Sequence, residues 1–507
     1  MTLMTFALLA LLVALGYQYL TWTFGYWRKR KVPGPSPKPL TGNFPNMYTL
    51  KRHSFYDMQD IYRKYKQDYD MVGMFLGRAP QLLVLNPELA HRVFVADFKS
   101  FHDNELANAV DEKSDYILAN NMFTMKGEQW KQRRTDITPG LTMSRIKTVY
   151  PVTNQVCNKL TEYIRKQSRI GAPDGLNSKH LSMCYTSEMV TDCVLGLSAK
   201  SFSDNPTPIM NKMKNIFDQS LTFILNTMIF AMFPILSKIR KLRFIPKDVE
   251  KFFVSLVETA IDTRKQQLDI GKQFDRVDFL DYIMQLGNKH KLTTRQLTAY
   301  SMTFLLDGFD TTATVLAHVL LFLGRDPKVQ QRLRDEIQAN LNNQGFVDFD
   351  KLNDLPFLDA CVQETIRFFP PLIASNKLCT KRIELSNGKG PTVTIEPGTV
   401  VVVPHGCFMK DEDYFTNPEH FQPDRFMEPN AAKTYRDRGV FMPFGDGPRI
   451  CIGMRFALTQ IKAALVEVIN NFDVKINPKT RKDNIIDSSS FLPKLQGDIW
   501  LDFEERK

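Results

Sequence analysis

Cys451 stands in the run Phe444-Gly445-Asp446-Gly447-Pro448-Arg449-Ile450-Cys451-Ile452-Gly453. Two glycines and a proline force a loop there. The apolar spacing after Gly453 predicts an amphipathic helix to about Asn471. Cys451 is therefore expected just before a helix N-terminus, where free N–H groups and the helix dipole stabilise a thiolate. Such a thiolate serves as a nucleophile or as a metal ligand. A lone cysteine without these surroundings is more often an inert core residue.

A second cluster is Asp307-Gly308-Phe309-Asp310-Thr311-Thr312. Thr293 and Gln296 form a capping box that predicts a helix from Thr293 to about Gly324. Between Gln296 and Gly324 only Asp307 and Asp310 are formally charged. A helix that apolar must be buried, and buried acids are costly. Gly308 weakens the helix, and Thr311 can hydrogen-bond a carbonyl one turn back and bend it. Local rules failing together mark a place where function overrides stability. A third pattern, Glu364-Thr365-Ile366-Arg367, puts an acid and a base on one helix face, where they can form an ion pair. On a surface that pair would contribute little.

Taken together, these motifs resemble those of the cytochrome P450 family. Phe444-x-x-Gly447-x-Arg449-x-Cys451-x-Gly453 is similar to the family's haem-ligand signature, and Glu364–Arg367 to its ExxR motif. Phe421-Gln422-Pro423-Asp424-Arg425-Phe426 is similar to the segment whose arginine completes a Glu-Arg-Arg cluster. With Trp130-x-x-x-Arg134, the resemblance spans nearly the whole chain. The overall pattern looks most like arthropod microsomal P450s of the detoxification type.

The resemblance implies a mainly α fold with small β-sheets (α+β), built around haem b with Cys451 as axial iron ligand. It places Phe444 and Gly453 in the haem-binding loop, and Trp130, Arg134 and Arg449 at the haem propionates. Lys377 falls where related enzymes often carry arginine. Glu364, Arg367 and Arg425 become a buried structural cluster. Thr311 matches the distal threonine and Asp310 the acid beside it on a proton path. The implied reaction inserts one oxygen atom of O2 into a lipophilic small molecule, either a xenobiotic or an endogenous lipid or hormone. Electrons would come from NADPH through NADPH–cytochrome P450 reductase, with cytochrome b5 as a further donor. Lys131, Arg133 and Lys462 are the expected docking cations for an acidic reductase surface.

Asp307 departs from the family pattern, which has Ala or Gly before Gly308. One subset, largely fatty-acid hydroxylases, has glutamate there and can ester-link it to a haem methyl. Asp307 is one methylene shorter. Its role stays open between substrate anchor, proton-relay member and haem-ester former. By family analogy, substrate contacts come from residues 103–122, residues 216–236, Leu306, Asp307, Ile373 and Ala374. Two rival functions are a P450-fold lipid isomerase or dehydratase and a non-catalytic haem-binding membrane protein. Asp310 and Thr311 argue against the first, and the intact Cys451 loop together with Thr311 argues against the second.

The elements that must position these residues are legible in part. Met71–Leu76 and Gln81–Leu85 flank Gly77-Arg78-Ala79-Pro80 and predict a hairpin. Thr392–Ile395 and Thr399–Val403, around Glu396-Pro397-Gly398, predict a second. The remainder has mostly helical spacing, with no internal repeat.

Residues 1–27 carry no charged side chain, and Leu3 to about Phe24 is long enough to cross a bilayer as a helix. Tyr17, Tyr19, Trp22, Tyr26 and Trp27 read as an interfacial belt. The Arg28–Lys31 run then leaves the remaining chain in the cytoplasm. A microsomal anchor in the endoplasmic reticulum membrane follows from the resemblance. The divisions expected are an anchor over 1–27, a basic, proline-rich hinge over 28–40 and one haem domain over 41–507. Residues 221–237 are also uncharged and precede Lys238, Arg240, Lys241 and Arg243. They read as an apolar face dipping into one leaflet beneath a basic rim, or as an ordinary core helix.

The 507-residue chain is 43% hydrophobic and 24% charged, which excludes a disordered or collagen-like chain. Its net charge of +11 suits an anionic bilayer or an acidic protein. No dense Lys/Arg block with interleaved aromatics points to nucleic acid. Seven cysteines without a CxxC argue against a disulfide scaffold. No GxGxxG, Walker loop, HExxH or GxSxG is present, which disfavours dinucleotide, NTPase, zincin and serine-hydrolase chemistry.

Overall fold

The computed structural model describes residues 3–169, 175–217, 229, 233, 236, 241–269, 279–386, 388–490 and 492–506. The chain opens with α1 (Leu3–Thr21), no residue of which is buried. Trp27, expected among the interfacial aromatics, instead belongs to the body. It is buried, and its Nε1–H donates to the Met74 carbonyl at 3.1 Å. Phe24 likewise packs edge-on against Phe75, with ring centroids 5.4 Å apart. The hinge is fastened to the same strand, since the Gly73 N–H donates to the Pro33 carbonyl at 2.8 Å.

The first hairpin forms with a tighter turn than expected: β1 (Met71–Leu76) pairs antiparallel with β2 (Ala79–Val84) across Gly77 and Arg78, Ala79 and Pro80 joining the strand. The second does not form. Both runs are strands, but β7 (Val393–Ile395) pairs with β6 (Ile383–Leu385). β8 (Val400–Val403) lies parallel to β2 and antiparallel to β5 (Ser375–Leu378). The reason is burial. An all-valine run gains most inside a sheet, flanked on both edges, and β8 takes that central place. β3 (Asp103–Asn104) closes the sheet against β5, setting Asn104 opposite Lys377. A separate sheet holds β4 (Leu176–Asn177), β9 (Phe472–Ile476) and β10 (Trp500–Glu505) in the order β4-β10-β9.

Most of the body is helical. Seven helices position the site: α2 (Gly127–Ile137), α3 (Met143–Arg169), α4 (Ser178–Leu195), α5 (Thr294–Arg325), α6 (Pro327–Gln338), α7 (Pro356–Phe368) and α8 (Met454–Asn471). α5 carries the expected capping box in both directions. It is apolar enough to span a membrane, yet its sides are covered by protein, and it is the core helix of the body. α4 runs beside it so closely that a methyl at Gly308 would meet Val190 at 3.2 Å. His318, also on α5, donates from Nδ1 to the Thr314 carbonyl at 2.7 Å, because its Nε2 accepts from the Leu495 N–H at 3.1 Å. Burial lowers its pKa to about 4, so it is a neutral part of the core.

Candidate active site

The cysteine loop is a tight structure held from within. The Cys451 N–H donates to the Phe444 carbonyl at 2.8 Å, closing the loop over half-buried Phe444. Gly447 sits at φ +65°, and a side chain there would meet the Phe94 carbonyl oxygen at 2.1 Å. Glycine is therefore required twice over. Helix α8 starts at Met454, and the N–H groups of Gly453 and Met454 point at the Cys451 sulfur. Burial nevertheless dominates and pushes the thiol up to about 11, those two N–H groups and Arg134 pulling the other way. Helix-end stabilisation alone does not ionise this cysteine. A bound metal ion would.

Cys451 is the accessible cysteine of the seven, and Asp307 also carries accessible surface. Burial is still the leading influence on both, and the Asp307 carboxylate is near enough to oppose ionisation of Cys451. These facts agree if the exposed surfaces face an internal slot, with α5 on one side and the cysteine loop on the other.

On α5 the expected back-bond is present, in a helix that runs unbroken from Thr294 to Arg325. Thr311 Oγ1 donates to the Asp307 backbone carbonyl at 2.6 Å. Asp310 turns towards α4, where Lys179 Nζ lies 2.6 Å from its Oδ1 and also donates to Thr314 Oγ1 at 2.6 Å. Asp307 turns the other way, to Asn121, whose Nδ2 is 3.2 Å from Oδ1. Burial raises Asp307 to about 7.

A group of cations gathers beside the slot. Arg449 stacks over the Trp130 ring at 4.3 Å and donates to Asp103 at 3.2 Å. Its Nε, also buried, has no hydrogen-bond partner. Arg134 donates to the Ile450 carbonyl at 2.8 Å. Lys377 is buried and donates to Asn104 at 2.9 Å. Burial, with Arg449 nearby, lowers Lys377 to about 7. Burial likewise lowers Arg449 to about 10. Arg449 and Lys377 thus share one close carboxylate, Asp103, and buried cations demand anions. The two propionates of a haem would supply them. At Gly453 a Cβ would meet no protein atom within 4 Å, so the chain's own packing does not require glycine there. The residues present fit the group.

Glu364, Arg367 and Arg425 form one buried cluster. Arg367 Nε and Nη2 reach the two Glu364 oxygens at 2.7 and 2.9 Å, and Arg425 Nε reaches Oε1 at 3.1 Å. The guanidinium groups donate further to the carbonyls of Met409, Pro418, Thr416 and Asn417. Every strong donor has an acceptor, which is what makes such burial affordable.

Three expectations change. Arg133 is buried, with its guanidinium 3.5 Å from the Tyr300 ring centroid. Lys462 is buried and paired with Asp359 at 2.7 Å. Neither offers a charge to a partner; Lys131 is exposed. Arg243 is paired with Glu250 and so is no free headgroup contact. Most of 216–236 and 221–237, with Lys238 and Arg240, lies outside the described residues. Within it, Phe233 stacks on Tyr19 of α1, with centroids 5.6 Å apart. Asn121, Lys179 and Asp103 were not anticipated individually, because no local pattern distinguishes them; they matter through their long-range partners.

A family model described as Cytochrome P450 matches residues 32–500. The chain is 62% identical over 505 residues to a protein named probable cytochrome P450 28a5 of Drosophila melanogaster, with 100% of both chains covered. It is 49% identical over 499 residues to probable cytochrome P450 28d1 of the same fly, covering 98% of each. Cytochrome P450 3A16 of Mus musculus is 31% identical over 484 residues, covering 92% of this chain and 90% of that one. A likeness sustained from the hinge to the last strand, across insect and mammalian proteins, settles the family: the chain belongs to the cytochrome P450 family of haem monooxygenases.

Proposed function

We propose that the chain is a membrane-anchored haem-thiolate monooxygenase acting on lipophilic small molecules, with NADPH–cytochrome P450 reductase as electron source and cytochrome b5 as a further donor. The observation that carries this reading is the placement of Cys451 across the slot from the Asp307–Thr311 turn of α5. Haem, when bound, supplies the oxygen-activating iron, and a thiolate ligand favours O–O cleavage.

The chain's own residues do the remainder. The Gly453 and Met454 N–H groups orient the Cys451 sulfur. Arg134, Arg449, Trp130 and Lys377 would hold the haem through its propionates, and Phe444 closes the loop on the cysteine side. Thr311 spends its proton on the Asp307 carbonyl, which leaves its oxygen free to accept from water or substrate. Asp310, fixed by Lys179, is the acid that feeds protons into this turn from the α4 side. Glu364, Arg367 and Arg425 hold the scaffold and take no part in the chemistry. α1 is the anchor in the endoplasmic reticulum membrane, and the body is a single cytoplasmic haem domain.

The test is a reduced-plus-CO difference spectrum of the membrane-expressed chain beside Cys451→Ala. A thiolate-type Soret band that the variant loses supports the reading. Folded protein without the band overturns it. NADPH oxidation with added reductase, coupled to product from a lipophilic panel, then separates a monooxygenase from an isomerase.

A further inference from the structure

Asp307 keeps accessible surface on α5 and has no cation beside it among the described residues. Its neighbour is the Asn121 amide, 3.2 Å from Oδ1 and 3.5 Å from Oδ2. That amide has a fixed orientation, because its Oδ1 accepts the Phe123 N–H at 2.7 Å. The NH2 end must therefore face the acid. An amide orients a carboxylate without neutralising it.

The surroundings give the acid no other task. Thr311 bonds the Asp307 backbone carbonyl and not its carboxylate. Asp310 is engaged on the opposite side by Lys179. Leu305, Leu306 and Phe309 flank Asp307 on its helix as buried apolar side chains, and Phe123 beside Asn121 leaves 43% of its surface exposed. One oriented acid group thus lies on the accessible side of α5, beside the exposed ring of Phe123.

We propose that Asp307, oriented by Asn121, is a specificity-determining residue that anchors the protonated nitrogen of lipophilic amine substrates. The inference rests on the monooxygenase reading and names the substrate class of that same site. An ammonium–carboxylate hydrogen bond is roughly twice as strong as a neutral one. Burial of an apolar body adds to it. A neutral substrate of the same shape leaves the carboxylate unpaired, which a binding site penalises.

The experiment titrates full-length protein in membranes with a tertiary amine too crowded at nitrogen to ligate iron, and with its isostere carrying C–H in place of nitrogen. The readout is the Soret shift. Wild type is expected to bind the amine at least ~10-fold more tightly. Asp307→Asn is expected to reduce that preference to about twofold, while Asp307→Glu keeps most of it. Equal binding of the two ligands by wild type overturns the proposal, as does an undiminished preference in Asp307→Asn. Haem that resists acid–organic extraction also overturns it, because an ester would consume the carboxylate. The reduced-plus-CO band is recorded for each protein. Its absence in wild type overturns the haem-thiolate reading beneath the proposal; its presence with no amine preference overturns the proposal alone. If Asp307→Asn does not fold, the two ligands on wild type and on Asp307→Glu still decide.

Discussion

Lys179 Nζ lies 2.6 Å from Asp310 Oδ1, tying α4 to α5 at the turn that carries Thr311. Both side chains are mostly buried, at 19% and 14% exposure. Removing the cation strands a carboxylate in a poorly solvated place. Lys179→Met is expected to destabilise the fold by about 1–3 kcal/mol and to raise the share of NADPH consumed without product. Thermal loss of the reduced-plus-CO band and the NADPH-to-product ratio measure the two effects. A variant unchanged in both would show that the pair neither holds the turn nor serves its proton supply.

Among the described residues Glu364 is the sole acid paired with Arg367 and Arg425, and it is fully buried. Glu364→Gln keeps the shape but leaves two guanidinium groups without a counter-charge. A loss of about 3–5 kcal/mol is expected, enough to abolish haem loading in a marginally stable fold. Arg425→Lys keeps one contact and should lose less. The measurement is haem per polypeptide in purified membranes. Glu364→Gln with wild-type haem content would sink the argument.

Much of this was readable from local pattern. The capping box at Thr293, the β1–β2 hairpin and the loop before α8 are short-range devices, and each formed as its spacing dictates. What was not readable is partner choice over long separations. Val400–Val403 looked like half of a hairpin with Val393–Ile395, but burial placed it between β2 and β5. Arg133 and Lys462 looked solvated because composition does not say which long side chains lie beneath neighbours. Asp310 was legible as an acid in an apolar helix, whereas its partner Lys179, on another helix 131 residues away in sequence, was not.

Asp307 gives a pH dependence with a definite sign. Burial raises it to about 7 in the folded chain, with Asn121 opposing the shift. An unfolded aspartate titrates near ~4. The folded state therefore binds the proton more tightly. The stability contributed by this group is fully present below about pH 4 and is lost as pH rises through about 7. Asp307→Asn removes that slope. Relative to wild type, the variant should gain stability from about pH 5 to about pH 8. Melting temperatures of both proteins across that range check it; parallel curves would show that Asp307 does not titrate there.

Trp27 marks where the anchor ends and the body begins. It is 4% exposed and bonded to Met74, while α1 up to Thr21 has no buried residue, its half-buried Tyr19 being the one that meets Phe233 and Arg78. Truncation through Thr21 should leave the melting temperature of the haem domain unchanged. Truncation through Trp27, or Trp27→Ala, should lower stability by about 3–5 kcal/mol. Equal melting temperatures for the two truncations would restore the boundary at residue 27 that composition alone implied.

Lys131 and Lys462 should separate docking from folding. The Lys131 side chain is 69% exposed, and its Glu128 partner one turn back is more exposed still. Such a pair contributes little to stability, but its charge is available to an acidic partner. Lys462 is 6% exposed at its side chain and paired with Asp359, which joins α8 to α7 behind the cysteine loop. Lys131→Glu should therefore weaken reductase binding several-fold at low salt and lose that effect at high salt, with no change in melting temperature. Lys462→Met should lower the melting temperature, because it leaves Asp359 unpaired beside α8. Reductase titrations at two ionic strengths, with melting curves for each variant, make the comparison. A salt-sensitive binding defect in Lys462→Met at unchanged stability would return that residue to the docking surface.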